Sequence, residues 1–354
     1  MTKKTKITRI KEFQKVLARN GLDGYVSNDT LDQGFLTGYF RNFSDEGVLL
    51  ITPENAVMFM KAMLVNQFKK TAPSVKAVGC QNHEILPFFV EEIKRRKLKK
   101  VAFDPDKEFY QVGKVWHKNK FKEMGGFIKS LREIKNEQEL KYIRKSCQIA
   151  ARAFEIIKPK IKPGRTEKSI ALELENIMKN MGASGLSFPT IVASGPNSAF
   201  VHHKTSDKKV KNNEAILMDF GCVYENYCSD ITRTFWLGKK PSLLYKKIKA
   251  IVVKAHDQSM GAVKPGVKAV FVDKVARDII DKAGYGDKFP HCLGHGIGLE
   301  VHEMPMASKV SKDIIRCGMT FTIEPGIYLN GKLGVRHENS IVVTNTGYKI
   351  LTKK

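Results

Sequence analysis

Asp219 in ILMDFG, Asp230 in YCSDITRT, His295 in GHGIGLEVHE, Glu324 in FTIEPG and Glu338 in GVRHENS follow one another along the last third of the chain. Four carboxylates and one imidazole are hard oxygen donors with a single nitrogen. That set suits a pair of divalent ions, with manganese first and cobalt, zinc or iron as alternatives, better than a structural zinc, which favours thiolates. The chemistry such a pair supports is metal-assisted hydrolysis.

The elements around these residues can bring them together. Residues 215–221 and 228–237 read as strands, with turn-prone Glu225 and Asn226 between them. A turn centred between Tyr224 and Glu225 pairs Asp219 directly with Asp230. Residues 319–329 and 335–344 read as a second hairpin around Asn330-Gly331. A turn centred on Gly331 pairs Glu324 with Glu338. Like charges opposed in a sheet are destabilising, so two such pairs call for cations. Arg336 shares a strand face with Glu338 and is placed to orient that carboxylate.

These segments resemble the motifs of the proline-specific pita-bread metallopeptidases, the Xaa-Pro aminopeptidases and Xaa-Pro dipeptidases (prolidases). MDFG, SDITRT, GHGIGLEVHE, TIEPGIY and VRHEN carry the resemblance, which extends upstream to SGPNSAFVHH and to LREIKNEQELKYIRKSCQIA. Residues 1–130 are more weakly similar to that branch's amino-terminal domain, including FLTGY at 35–39. The resemblance implies an α+β protein: a smaller α/β layer domain over 1–130 and a catalytic pita-bread domain over 131–354, a curved antiparallel sheet backed by duplicated helices.

The resemblance also implies roles. Asp219 chelates one ion, His295 and Glu324 bind the other, and Asp230 and Glu338 bridge. Glu324 further takes the proton of the attacking water, while His202 and His302 contact substrate and move protons. His202 follows Phe200-Val201 where Leu-Pro is usual, and His203 is its rival for that place. His291, opening HCLGHG, is a candidate to support the ligands by hydrogen bonding. The glycines of GHGIG suit close backbone approach to metal and substrate. Relatives usually carry Asp after the last ligand, where this chain has Asn339. Many dipeptidases carry HExPR where this chain has HEMPM, so Met306 stands in place of an Arg that would hold a prolyl carboxylate. On that ground the expected activity is an Xaa-Pro aminopeptidase, with the dipeptidase as alternative. A non-catalytic binding protein on this fold is disfavoured because all five proposed ligands are present. A creatinase-like hydrolase is disfavoured because those relatives lack the metal set that this chain carries, and a methionine aminopeptidase because those relatives usually lack the amino-terminal domain. A cytoplasmic homodimer is the family expectation.

Composition agrees with a soluble globular protein of about two domains. The 354 residues are 42% hydrophobic and contain no 18-residue apolar run, so no membrane span is expected. The basic amino terminus lacks the apolar stretch of a secretory signal. Six cysteines without paired spacing read as free thiols of a reducing compartment. The formal charge of +25 invites nucleic acid as a partner. Residues 1–135 hold 26 Lys and Arg against 15 acids, and the remainder 35 against 21, so the excess is spread rather than patched. No specific nucleic-acid partner is therefore expected, and the partners are peptides with proline at the second position.

Along residues 1–130, strands are expected at 21–28, 47–60, 74–80 and 99–105, with helices at 7–20, 61–71 and 83–97. Ile7, Ile10, Phe13 and Leu17 share one face of the first helix. Asn136 with Glu139 is an Asx variant of a capping box for a helix over 136–157. Thr166 caps a second helix ended by Gly182. KPGR at 162–165 and KPGV at 264–267, each leading into a helix and then strands with a carboxylate pair, read as an internal duplication.

Overall fold

In the computed structural model, residues 3–40, 47–81, 84–107 and 110–353 are described. The chain forms two compact units, Met1–Arg132 and Glu133–Lys354.

The first unit is a mixed six-stranded sheet with helices. Its strands are β1 (Gly24–Ser27), β2 (Gly47–Ile51), β3 (Ala56–Lys61), β4 (Lys76–Cys80), β5 (Val101–Phe103) and β6 (Lys122–Glu123), in spatial order β4-β3-β2-β1-β5-β6. Its helices are α1 (Lys3–Arg19), α2 (Thr30–Thr37), α3 (Val65–Thr71), α4 (Ile85–Arg95), α5 (Tyr110–Lys118) and α6 (Phe127–Glu133). Ile10, Phe13 and Leu17 are buried on α1 as its periodicity requires, whereas Ile7's side chain and His83, at the start of the expected 83–97 helix, lie outside the described residues. Helix α2 is capped by Asp29, which accepts from the Asp32 amide, and ends at Gly38 in the left-handed region, within FLTGY.

The second unit opens with α7 (Glu137–Ile157). Asn136 accepts from the amides of Gln138 and Glu139, and Glu139 returns a bond to the Asn136 amide, a complete capping box. Helix α8 (Glu167–Asn180) is capped by Thr166. Short β7 (Gly185–Leu186) and β8 (Ile191–Ser194) precede β9 (Glu214–Phe220), β10 (Cys222–Tyr224), β11 (Tyr227–Cys228) and β12 (Ile231–Leu237). Helices α9 (Leu243–Gly261) and α10 (Ala269–Lys282) follow. The remaining strands are β13 (Gly294–Gly296), β14 (Glu303–Ala307), β15 (Thr320–Ile323), β16 (Gly326–Leu329), β17 (Leu333–Arg336), β18 (Asn339–Val343) and β19 (Tyr348–Ile350).

The duplication is visible in matching hydrogen bonds. The Gly164 amide donates to Val210 O and the Val210 amide to Arg165 O; likewise Gly266 donates to Ile315 O and Ile315 to Val267 O. Each turn launches a 14-residue helix, α8 or α10. One half packs α7 and α8 on β8, β9 and β12, with Ile216, Met218, Phe220, Ile231 and Phe235 in the shared core. The other packs α9 and α10 on β14, β15, β17 and β18 through Ala307, Phe321, Ile323, Val335, Ile341 and Val343.

Strand alternation then dictates the opposite face. Where one residue of each strand meets a helix, its neighbours Asp219, Thr232, Thr322, Arg336 and Ser340 point away from the helices, and all five are buried. Buried polar side chains need partners; these find them in one another and in the proposed ligands.

The first hairpin differs from its expected register. Thr232, not Asp230, lies opposite Asp219. The turn is Glu225-Asn226, both with positive φ, one residue beyond the expected centre. A one-residue change in the centre moves the pairing by two residues, and a shift of two leaves every side chain on its original face. Asp219 and Asp230 therefore converge as diagonal neighbours rather than opposed ones. In the second hairpin, Ile323 pairs with Asn339, and Gly326 with Arg336, as a turn centred on Gly331 requires. Glu324 and Glu338 sit where both strands break between two sheets.

Candidate metal centre

Asp230, His295 and Glu338 each offer a ligand atom within 4.8 Å of the others. His295 Nε2 lies 3.6 Å from an Asp230 oxygen and 3.3 Å from Glu324 Oε1. The His295 Nδ1–H donates to Gly296 O, which fixes the tautomer and leaves Nε2 facing the carboxylates. Flanking Gly294 and Gly296 are required by packing: a Cβ on either would fall within about 2 Å of Thr322 O or Met304 O. Their lack of a side chain thus permits close strand approach around His295.

Asp219 is held differently. Arg336 Nη2 donates to Asp219 Oδ2 at 2.6 Å, so Arg336 orients this expected chelator and not the neighbouring Glu338. Arg336 Nε donates to Thr232 Oγ1, and the Thr232 hydroxyl donates to Glu338 Oε2 at 2.7 Å. Thr232 therefore links Arg336 to Glu338, a role that was not read from the sequence. Its signal was present: it stands two residues after Asp230, on the same strand face.

Arg336 Nη1 donates to the Tyr328 hydroxyl, which is also 2.8 Å from His291 Nε2. His291 Nδ1 is 2.7 Å from Cys292 O. Burial lowers the His291 imidazole to about 4, so it is neutral. Neutral His291 donates from Nδ1 to Cys292 O and accepts at Nε2 from Tyr328. Its support of the site runs through Tyr328 and Arg336, with no direct hydrogen bond to a proposed ligand.

The electrostatics show what the residues fit. Burial pushes Asp230 and Glu338 well above the usual carboxylate range, and repulsion adds to it, chiefly from Glu338 on Asp230 and from Glu324 and Asp219 on Glu338. Burial also raises Asp219, opposed by Arg336. For Glu324 burial acts upward too, but the His295 hydrogen bond and charge outweigh it and bring the group to about 2. One buried oxygen on each of Asp219, Asp230 and Glu338 has no hydrogen-bond partner. Orphaned carboxylate oxygens converging beside an imidazole are the arrangement that divalent cations satisfy.

Asp219, Asp230, His295 and Glu324 open onto a cavity of about 640 Å³, large enough for a short peptide, with Phe188, Ile191, Val201 and Val301 as apolar wall. His202 and His302 line it and are exposed. His203 also borders it, but its Nε2 is bound at 2.8 Å to Glu167, which also takes Ser194 and Ser206. This leaves His202 as the histidine of the pair free to meet substrate. The ring of His302 lies 4.2 Å from that of His295. Met306 pairs with His295 in the β13–β14 ladder and is not part of the cavity wall.

Asn339 is accounted for by its partners. Its Oδ1 accepts from Arg233 and Thr352, and its Nδ2 donates to His256 Nε2 at 3.0 Å. Burial lowers His256 and favours the neutral ring that this donation needs. All six cysteines are free, and among the described residues no helix is long and apolar enough to cross a membrane.

A layered α/β unit followed by a duplicated helix-backed sheet, with carboxylates and one imidazole gathered on the buried polar face, defines a metallohydrolase. The chain belongs to Metallopeptidase family M24, which its residues 141–345 match, and its residues 9–134 match the Creatinase/Prolidase N-terminal domain. It has the pita-bread fold of its solved relatives. It is 34% identical to the Xaa-Pro dipeptidase of Pyrococcus horikoshii, covering 98% of this chain and 97% of that protein. The solved Xaa-Pro dipeptidase from Bacillus anthracis superposes with a TM-score of 0.93 at 34% identity, covering 100% of this chain and 98% of that one. The X-Pro aminopeptidase from Thermotoga maritima gives 0.87 at 33% identity over 94% and 96%. Relatives named as dipeptidases thus favour the dipeptidase over the aminopeptidase that HEMPM suggested.

Proposed function

We propose that this protein is an Xaa-Pro dipeptidase whose metal centre is formed by Asp219, Asp230, His295, Glu324 and Glu338. The observation that carries the reading is the convergence of orphaned, buried carboxylate oxygens beside His295 at the floor of a peptide-sized cavity. Hard oxygen donors favour manganese, and a cytoplasmic homodimer follows from the family resemblance. When bound, divalent ions supply Lewis acidity, polarising the scissile carbonyl and acidifying water.

The chain's own groups supply the rest. Glu324, which lines the cavity, is the proton acceptor. The departing prolyl nitrogen needs a proton, and His302 at the cavity wall is positioned to pass one to it. His202 orients the peptide. Arg336 and Thr232 hold Asp219 and Glu338 in fixed rotamers, so the ligands are preorganised. Proline is selected because its tertiary amide has no N–H to leave unsatisfied in this wall.

The test is kcat/KM for Xaa-Pro, Xaa-Ala and Xaa-Pro-Yaa substrates with manganese-loaded protein. Preference for Xaa-Pro over both supports the assignment. Faster cleavage of Xaa-Pro-Yaa returns the reading to an aminopeptidase.

A further inference from the structure

A dipeptidase must recognise the free prolyl carboxylate in a cavity already rich in carboxylates. An anion entering such a site without a cationic partner is penalised by both desolvation and repulsion. The cations bordering this cavity are therefore the candidates, and most are committed. Arg336 is 2% exposed and spends its donors on Asp219, Thr232 and Tyr328. His203 is bound to Glu167, and His291 is neutral.

Lys204 differs from them. It lines the same cavity and is exposed, and it makes no hydrogen bond or ion pair with any described residue. Its backbone is nevertheless fixed on both sides. His203 is anchored by Glu167 at 2.8 Å, while the Thr205 hydroxyl donates to Thr190 O and accepts from the Val192 amide. A free ammonium on a flexible stem, carried by a pinned backbone at the cavity wall, is a point charge available to a carboxylate there.

We propose that Lys204 is the specificity-determining residue that binds the prolyl carboxylate and makes the protein select dipeptides. This rests on the proline-specific peptidase reading above. The ammonium donates to the carboxylate of Xaa-Pro and has no such partner in a C-terminally amidated or extended peptide.

The experiment compares Ala-Pro with Ala-Pro amide in manganese-loaded wild type, Lys204→Met and Lys204→Arg. The wild type should prefer the free acid. Lys204→Met should raise KM for Ala-Pro about tenfold or more with kcat little changed. The amide should be unaffected, so the preference collapses, and Lys204→Arg should retain most of it. The assignment is overturned if Lys204→Met keeps the wild-type preference, or if it loses both substrates equally, as a structural residue would. A wild type that cleaves Xaa-Pro without preferring the acid overturns it while sparing the peptidase reading; one that cleaves no Xaa-Pro bond overturns both.

Discussion

Asp230 and Glu338 are the most buried carboxylates of the cluster, at 6% and 1% exposure, and each has a buried oxygen with no hydrogen-bond partner. If they bridge two ions, Asp230→Ala or Glu338→Ala should remove at least one metal per chain and nearly all turnover while circular dichroism stays native. Retention of two metals at near-native rate would contradict the bridging roles. Thr232 makes a finer test. Thr232→Val keeps the shape but deletes the hydroxyl between Arg336 and Glu338, and should weaken metal affinity by about 10–100-fold. Isothermal titration with manganese reads this directly; an unchanged affinity would mean that Glu338 needs no such support. The residue types at the centre were legible in the sequence because metal chemistry restricts them so strongly. Thr232 and Tyr328 were not, since hydroxyls serve too many purposes for type and spacing to single them out.

The elements were legible where periodicity or caps are strong. Asn136 with Glu139 and Asn330-Gly331 were read correctly because each fixes a local geometry by itself. The Asp219–Asp230 register was not. Its turn lacks glycine, placing Glu225 and Asn226 at φ of 49° and 68°, which non-glycine residues adopt at a cost. The sequence therefore marked the turn region without its centre, and convergence survived only because the error preserved side-chain parity. Replacing Glu225-Asn226 with Asn-Gly should relieve this strain and stabilise the fold by about 0.5–1 kcal/mol. Thermal denaturation showing no gain, or a loss, would contradict the strain argument. Helices α2, α5 and α6 went unread; at 7 to 9 residues, their few turns give periodicity little length to show itself.

At the scale of the molecule, pH acts on the two units differently. In the amino-terminal unit, burial raises Asp32 to about 7 despite Arg132 at 3.6 Å. The folded state thus holds a proton that the unfolded chain releases near 3.8, and this contribution to stability is lost as pH climbs from there through 7. The effect is on the order of 4 kcal/mol. Asp32→Asn should therefore compare more favourably with wild type at pH 8.5 than at pH 5, by denaturant titration at both; a pH-independent difference would contradict a buried titrating carboxyl. In the catalytic unit, raised Asp230 and Glu338 must lose protons to bind cations. The even spread of the +25 charge has no structural account here.

The central claim is that five converging side chains hold metal for peptide hydrolysis. Its most direct test is elemental analysis of the purified chain during stepwise manganese reloading after chelation, with Ala-Pro hydrolysis followed in parallel. Up to two ions per chain should bind, with activity rising from near zero as they do. Full turnover by metal-free protein would contradict the claim.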